Sequence, residues 1–232
     1  MIYGRIDRPH EEREASLSHR RQSAIKRIWN TNGLSGVLVL ATKVKESWLV
    51  GIALAEVKGG EPDARIVPDL LCSPDGQIEG FAAGYTATRI DKNRDWAEGL
   101  PGSGWSAEQI AALAHRMPFD SRTWNWVENA GSEVKQHYWA KIRFSSIPQE
   151  QTHLEKAARE LLLAKRPATA VRLLAMGMYN DLTFNTPYIP QLNEFYGRSF
   201  NSQYDGARAD PGDLGRGAVG LITRFLPPKS ST

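Results

Sequence analysis

The residues whose types and spacing could do chemistry are few. Gly215-Arg216-Gly217-Ala218-Val219-Gly220 has the form G-x-G-x-x-G, a glycine turn that can cradle a dinucleotide pyrophosphate. That chemistry needs a strand before the turn, a helix after it and an acidic residue about twenty positions on. Here Ala209-Asp210-Pro211-Gly212 precedes the turn and no acid follows it, so no cofactor is expected. His10-Glu11-Glu12-Arg13-Glu14 begins like the zinc motif H-E-x-x-H but carries Glu14 at the second histidine position. A metal needs three or four ligands converging on one point, so no metal is expected either. Lys58-Gly59-Gly60 lacks the glycine approach and hydroxyl of a phosphate loop and reads as a helix terminator. Asp91 and Asp95 stand four apart near a helix end with nothing to split their pKa values. His19, His115, His137 and His153 each stand alone, and a catalytic histidine needs an oriented partner. The expectation is that no residue is catalytic.

Two further groups concern binding. Trp124, Trp126, Tyr138 and Trp139 concentrate aromatic surface in a short stretch, and Trp124 and Trp126, two apart on a helix, cannot face the same side. Burial between helices is the ordinary fate of such rings, but an exposed member would anchor a protein or peptide partner. Arg13, Arg20, Arg21, Lys26 and Arg27 make the N-terminal stretch locally basic, an alternative surface for nucleic acid. Acidic residues are interspersed there, so the charge is weaker than that of most nucleic-acid arms.

The elements that must position these side chains are helices. The clearest is the segment Thr152 to Asn180, which reads as two antiparallel helices joined at Lys165-Arg166-Pro167. Leu154, Ala157, Ala158, Leu161 and Leu162 fall on one face at helical spacing, with Glu155/Arg159 and Lys156/Glu160 on the other. Pro167 cannot continue the first helix but suits the first turn of the second, whose expected apolar face is Ala170, Val171, Leu174, Ala175 and Met178. The order of large Leu154, small Ala158, large Leu161, small Ala170, large Leu174 and small Gly177 resembles a helix pair of the tetratricopeptide or related α-solenoid families. That resemblance implies an irregular helical repeat that works by binding. The general character of the chain also resembles helical segments of much larger bacterial multidomain proteins.

The remainder reads as helices separated by short loops. A helix over residues 10–30 stops at Asn32-Gly33. The run Leu34 to Ala41 suits strand or helix by pattern and is assigned to helix because no partner strand is in sight. Further helices carry Leu49 to Val57, Ile66 to Leu71 and Ile78 to Arg89. Ser106 and Gln109 form a capping box before Ala107 to Met117, and helices bearing Trp124 and Tyr138 follow. The expected fold is therefore all-α, with antiparallel helix hairpins packed in sequence like an α-solenoid. Residues 1–98 form an N-terminal helical part, the loop Gly99 to Gly104 a hinge, and residues 105–182 a helical-repeat part. Residues 183–232, mixed in Asn, Pro, Tyr and Phe up to Ser202 and rich in Gly, Pro, Asp and Ser from Gly206, are expected to be an irregular, largely poorly ordered tail.

Composition supports an ordinary globular class: 41% apolar, 24% charged and a net charge of +3 over 232 residues. A single cysteine, Cys72, excludes an internal disulfide and fits a reducing compartment. The sequence carries no signal-type segment and no apolar run of membrane-spanning length, so a cytoplasmic location is expected, with no membrane partner. The leading functional expectation is a non-enzymatic interaction or scaffold module for a protein or peptide. The alternatives are the basic nucleic-acid surface and an enzyme whose groups, for example His115, His137 and Glu128, meet only in three dimensions.

Overall fold

The computed structural model describes residues 8–58, 60, 62–144 and 146–179, and every regular element among them is a helix. Helix α1 (Arg8–Ala41) contains a kink at Gly33, whose φ of 59° and ψ of −153° are open to glycine because it has no Cβ. The stop expected at Asn32-Gly33 is thus a bend, and Leu34 to Ala41 continue as helix. Then follow α2 (Ser47–Val57), α3 (Asp63–Leu70), α4 (Gly76–Lys92), α5 (Arg94–Gly99), α6 (Ala107–Ala114), α7 (Ser121–Ala130), α8 (Ser132–Lys141), α9 (Gln151–Leu163) and α10 (Pro167–Tyr179). The expected tail, residues 183–232, and the 215–220 glycine turn lie outside the described residues.

The chain divides into two compact units. The first runs to Pro118 and takes in Arg122–Ile142; the second takes Phe119–Ser121 and the chain from Arg143 on. The Gly99 to Gly104 loop therefore falls inside the first unit. The reason lies in side chains that tie α6 back to the first helices: Gln109 donates to Asp69 at 3.1 Å and Arg116 pairs with Glu79.

In the first unit the closest packing is α2 against α4. A Cβ on Gly51 would lie 2.0 Å from the Phe81 carbonyl oxygen, and one on Gly84 would lie 2.2 Å from that of Trp48. Gly80 lies over Ser47, where a Cβ would meet Oγ at 2.8 Å. Small residues at four-residue spacing on both helices therefore let the two backbones touch, a meeting that larger side chains forbid. Around this contact Val50, Ala53, Leu54, Phe81, Ala82 and Tyr85 are buried. Helix α2 also packs on α1, α3 on both α4 and α6, and α6 on α8.

Local signals explain the boundaries. The Asp75 carboxylate accepts from Gln77 and Ile78 N–H at 2.8 and 3.4 Å and caps α4, while Asn93 accepts from Trp96 N–H at 3.4 Å and starts α5. The Ser106/Gln109 capping box opens α6, with both reciprocal bonds present at 2.9 and 3.2 Å. At the start of α8 the cap is Gly131, with φ 121°, rather than a serine side chain.

In the second unit α9 packs on α10. Leu154, Ala157, Ala158 and Leu161 are buried, as the periodicity indicates. On α10 the buried positions are Ala170, Leu173 and Gly177, while Val171, Leu174 and Ala175 are half-buried, so the inner face is rotated from the expected one. The turn between the helices fixes that rotation. Arg166 N–H bonds the Leu161 carbonyl and Lys165 N–H the Leu162 carbonyl, both at 2.9 Å, with Lys165 left-handed at φ 58°. This double-bonded C-terminal turn normally takes glycine at the left-handed position.

Candidate functional site

Two polar constellations are built by the first unit. One is buried and closed. Asp63, 6% exposed at the first turn of α3, accepts from Tyr85 Oη at 2.5 Å, Arg89 Nη2 at 3.0 Å and Trp96 Nε1 at 2.8 Å. The Arg89 guanidinium also lies over the Trp96 ring at 4.9 Å from its centroid. Burial and the Asp63 carboxylate push the Tyr85 phenol far above its usual pKa, so it stays a neutral donor. Three donors from two helices converge on one carboxylate, with only Arg89 Nε left without a partner, and the network reads as a pin holding α3, α4 and α5 together rather than as a reactive centre.

The other constellation is open. A cleft of about 260 Å³ lies where the end of α3 (Leu71, Cys72, Ser73) meets Glu79 of α4, Glu108, Ala111 and Ala112 of α6, His115 and Arg116 just beyond it, and His137 and Lys141 of α8. Its charges are paired across elements: Arg116 with Glu79, and Lys141 Nζ with Glu108 Oε1 at 2.6 Å. The second pair draws the Glu108 pKa down and the Lys141 pKa up, each mainly through the hydrogen bond between them. His115 places Nε2 3.0 Å from the Tyr138 carbonyl oxygen, which calls for an N–H at that nitrogen, and stacks on the Tyr138 ring at 5.4 Å. Cys72 is exposed, yet the protein around its sulfur and the nearby Glu108 push its pKa up, opposed by Lys141. A thiol held protonated is a poor nucleophile at neutral pH, so covalent chemistry finds little help here. No group of three or more His, Cys, Asp or Glu among the described residues could hold a metal ion.

The structure distributes the sequence-derived candidates unevenly. Trp124, Tyr138 and Trp139 are core residues, 0%, 0% and 2% exposed, with Trp139 against both other rings at 5.7 and 5.2 Å. They have no ring surface to offer a partner, and the reading of an aromatic groove is corrected accordingly: rings this large fill the gaps between helices. Trp126 is half-buried and its indole N–H donates to the Glu98 carbonyl at 3.2 Å. His115 and His137 do share the cleft, whereas Glu128 sits on α7 within 3.6 Å of Lys135 Nζ and does not line it. Arg13, Arg20, Lys26 and Arg27 are exposed on α1, and Arg21 is half-buried 3.8 Å from Glu14. The side chains of His10 and Glu11 lie outside the described residues. Cys72, Glu108 and Lys141 were not singled out by pattern, because the residues that face one another are 33 or more positions apart and share no local signature.

No family model matches the chain, and no curated protein or solved structure matches it. No helix among the described residues is long and apolar enough to cross a membrane.

Proposed function

We propose that this chain is a non-enzymatic helical interaction module, an irregular repeat of the tetratricopeptide or related α-solenoid kind, that holds a protein or peptide partner at the cleft around Cys72. The observation that carries this reading is the character of that cleft. At about 260 Å³ it falls below the 300–1,000 Å³ of most small-molecule sites, and its walls set charged pairs and imidazoles beside the apolar Leu71, Ala111 and Ala112. A space of that size takes one or two side chains of a larger partner. Its ion pairs, Arg116/Glu79 and Lys141/Glu108, offer a polar rim that a partner's own charges can join. Helices α9 and α10, close-packed through Ala157, Ala158 and Ala170, supply the repeat-like part of the reading.

The test uses the single cysteine as a reporter. A displayed peptide library is selected on the full chain, and each enriched peptide is assayed for protection of Cys72 against a maleimide. Peptides that slow labelling at least tenfold, and that lose affinity when Lys141→Glu reverses one rim charge, support the reading. Enriched peptides that leave labelling unchanged would place binding elsewhere, and a library yielding no enrichment would count against an interaction module.

A further inference from the structure

The exposed face of α1 carries a pattern that the cleft does not use. Arg13, Arg20 and Arg27 recur every seven residues, and Ser16, Ser23 and Asn30 fall three residues after each of them. With 3.6 residues per turn, positions separated by three and four residues line one side of a helix, so these six form a single straight stripe. All six side chains are exposed. At about 1.5 Å per residue the three arginines span about 21 Å. The acidic Glu14 lies about 100° around the helix from Arg13 and is paired with Arg21, which removes both from the stripe, while the exposed Glu12 stands at its N-terminal end, four residues before Ser16, and leaves Arg20 and Arg27 as the cations farthest from an acid. Lys26, also exposed, borders the stripe on one flank.

We propose that this stripe binds the phosphate backbone of a nucleic-acid duplex. Arginine, serine and asparagine side chains present hydrogen-bond donors, the groups that most often contact phosphate oxygens. A helix has the width to lie in or along a duplex groove. Single strands are held chiefly by base stacking on aromatic rings, and the stripe has none: Trp29 lies about 160° around the helix from Arg13. A stable protein interface centres on buried aromatic or aliphatic anchors, which the stripe also lacks. A second copy of the same stripe would set arginine against arginine. A lipid surface would want apolar side chains beside the cations, but Ile25, Leu34 and Val37 of this helix are buried.

The experiment measures fluorescence anisotropy of a labelled random-sequence duplex of about 25 base pairs with the full chain, from 25 to 250 mM salt. Three phosphate contacts predict a slope of log K against log salt of about −2.7, hence a loss of about 500-fold over that tenfold range. The triple variant Arg13→Gln, Arg20→Gln, Arg27→Gln should lose about 100-fold or more at the lowest salt, while Arg21→Gln should change affinity less than about threefold. Helical circular dichroism of each variant guards against unfolding, which exposed glutamines should not cause. Absence of duplex binding at 25 mM salt, or equal binding by the triple variant, overturns the proposal. Tighter binding of poly-glutamate or of anionic phosphatidylserine vesicles than of the duplex overturns it too, assigning the stripe to an acidic protein or a membrane surface.

Discussion

Gly51→Ala tests the contact on which the first unit is built. The added methyl would sit 2.0 Å from the Phe81 carbonyl oxygen and 2.7 Å from Tyr85 N, against the 3.4 Å at which ordinary contact begins. Both obstacles are backbone atoms of α4, so no rotamer change can relieve them and the helices must part. Overpacking of a core costs about 1–3 kcal/mol. Parting α2 from α4 also loosens Leu54, Phe81 and Tyr85, each fully buried, so the upper end of that range applies. Replacing glycine inside a helix returns about 1 kcal/mol of propensity, which leaves an expected net loss of about 2 kcal/mol. Gly84→Ala, whose methyl would meet the Trp48 carbonyl at 2.2 Å, should behave alike, and the double variant should cost less than the two singles together, because one separation makes room for both. Gly102→Ala, in the loop after α5 and with nothing within 4 Å of the new methyl, is the control and should change stability by less than about 0.5 kcal/mol. The assay is guanidinium unfolding followed by circular dichroism. A Gly51→Ala protein as stable as the parent, or more stable by the propensity gain, would refute the close approach.

Asp63→Ala should destabilise by about 3 kcal/mol, because it strips Tyr85, Arg89 and Trp96 of a shared acceptor and leaves a largely buried guanidinium without its counter-charge; denaturant unfolding checks this. The raised Tyr85 pKa makes a separate prediction. A phenol held neutral in the folded state contributes stability that is complete below the unfolded value of about 10 and declines as pH rises above it, so the parent should lose stability from about pH 10 upward, and Tyr85→Phe should lose less. Cys72 should react with a maleimide more slowly than a free thiol near pH 8; Glu108→Gln should speed it and Lys141→Met should slow it, since Glu108 raises and Lys141 lowers the thiol pKa. Lys165→Gly should stabilise by about 1 kcal/mol in thermal unfolding, because it relieves a left-handed lysine without removing either of the turn's backbone hydrogen bonds.

Most of the helices were legible because their signals are local. The Ser106/Gln109 box and the apolar spacing of Leu154 to Leu161 each act within one or two turns, whereas Gly33, read as a stop, only bends a helix that runs on to Ala41. The inner face of α10 was misplaced because a turn geometry at Lys165, not periodicity, sets its rotation. Burial of Trp124, Tyr138 and Trp139 followed the ordinary behaviour of large rings, and only their neighbours in space could decide it. The tie between Asp63 and Tyr85, Arg89 and Trp96, and the cleft formed by Cys72, Glu108 and Lys141, were not legible. Each brings together residues more than twenty positions apart, through packing that rests on the glycine contact of α2 and α4 or on the docking of α6 beside α3.

The reading of the cleft as the docking point is tested most directly by titrating an enriched, Cys72-protecting peptide into the isotope-labelled full chain and mapping backbone amide shifts by NMR. The account predicts that the largest shifts cluster at Leu71 to Ser73, Ala111 to Arg116 and His137 to Lys141, and that they vanish in Lys141→Glu. Shifts confined to α9 and α10, or spread without a focus, would contradict it.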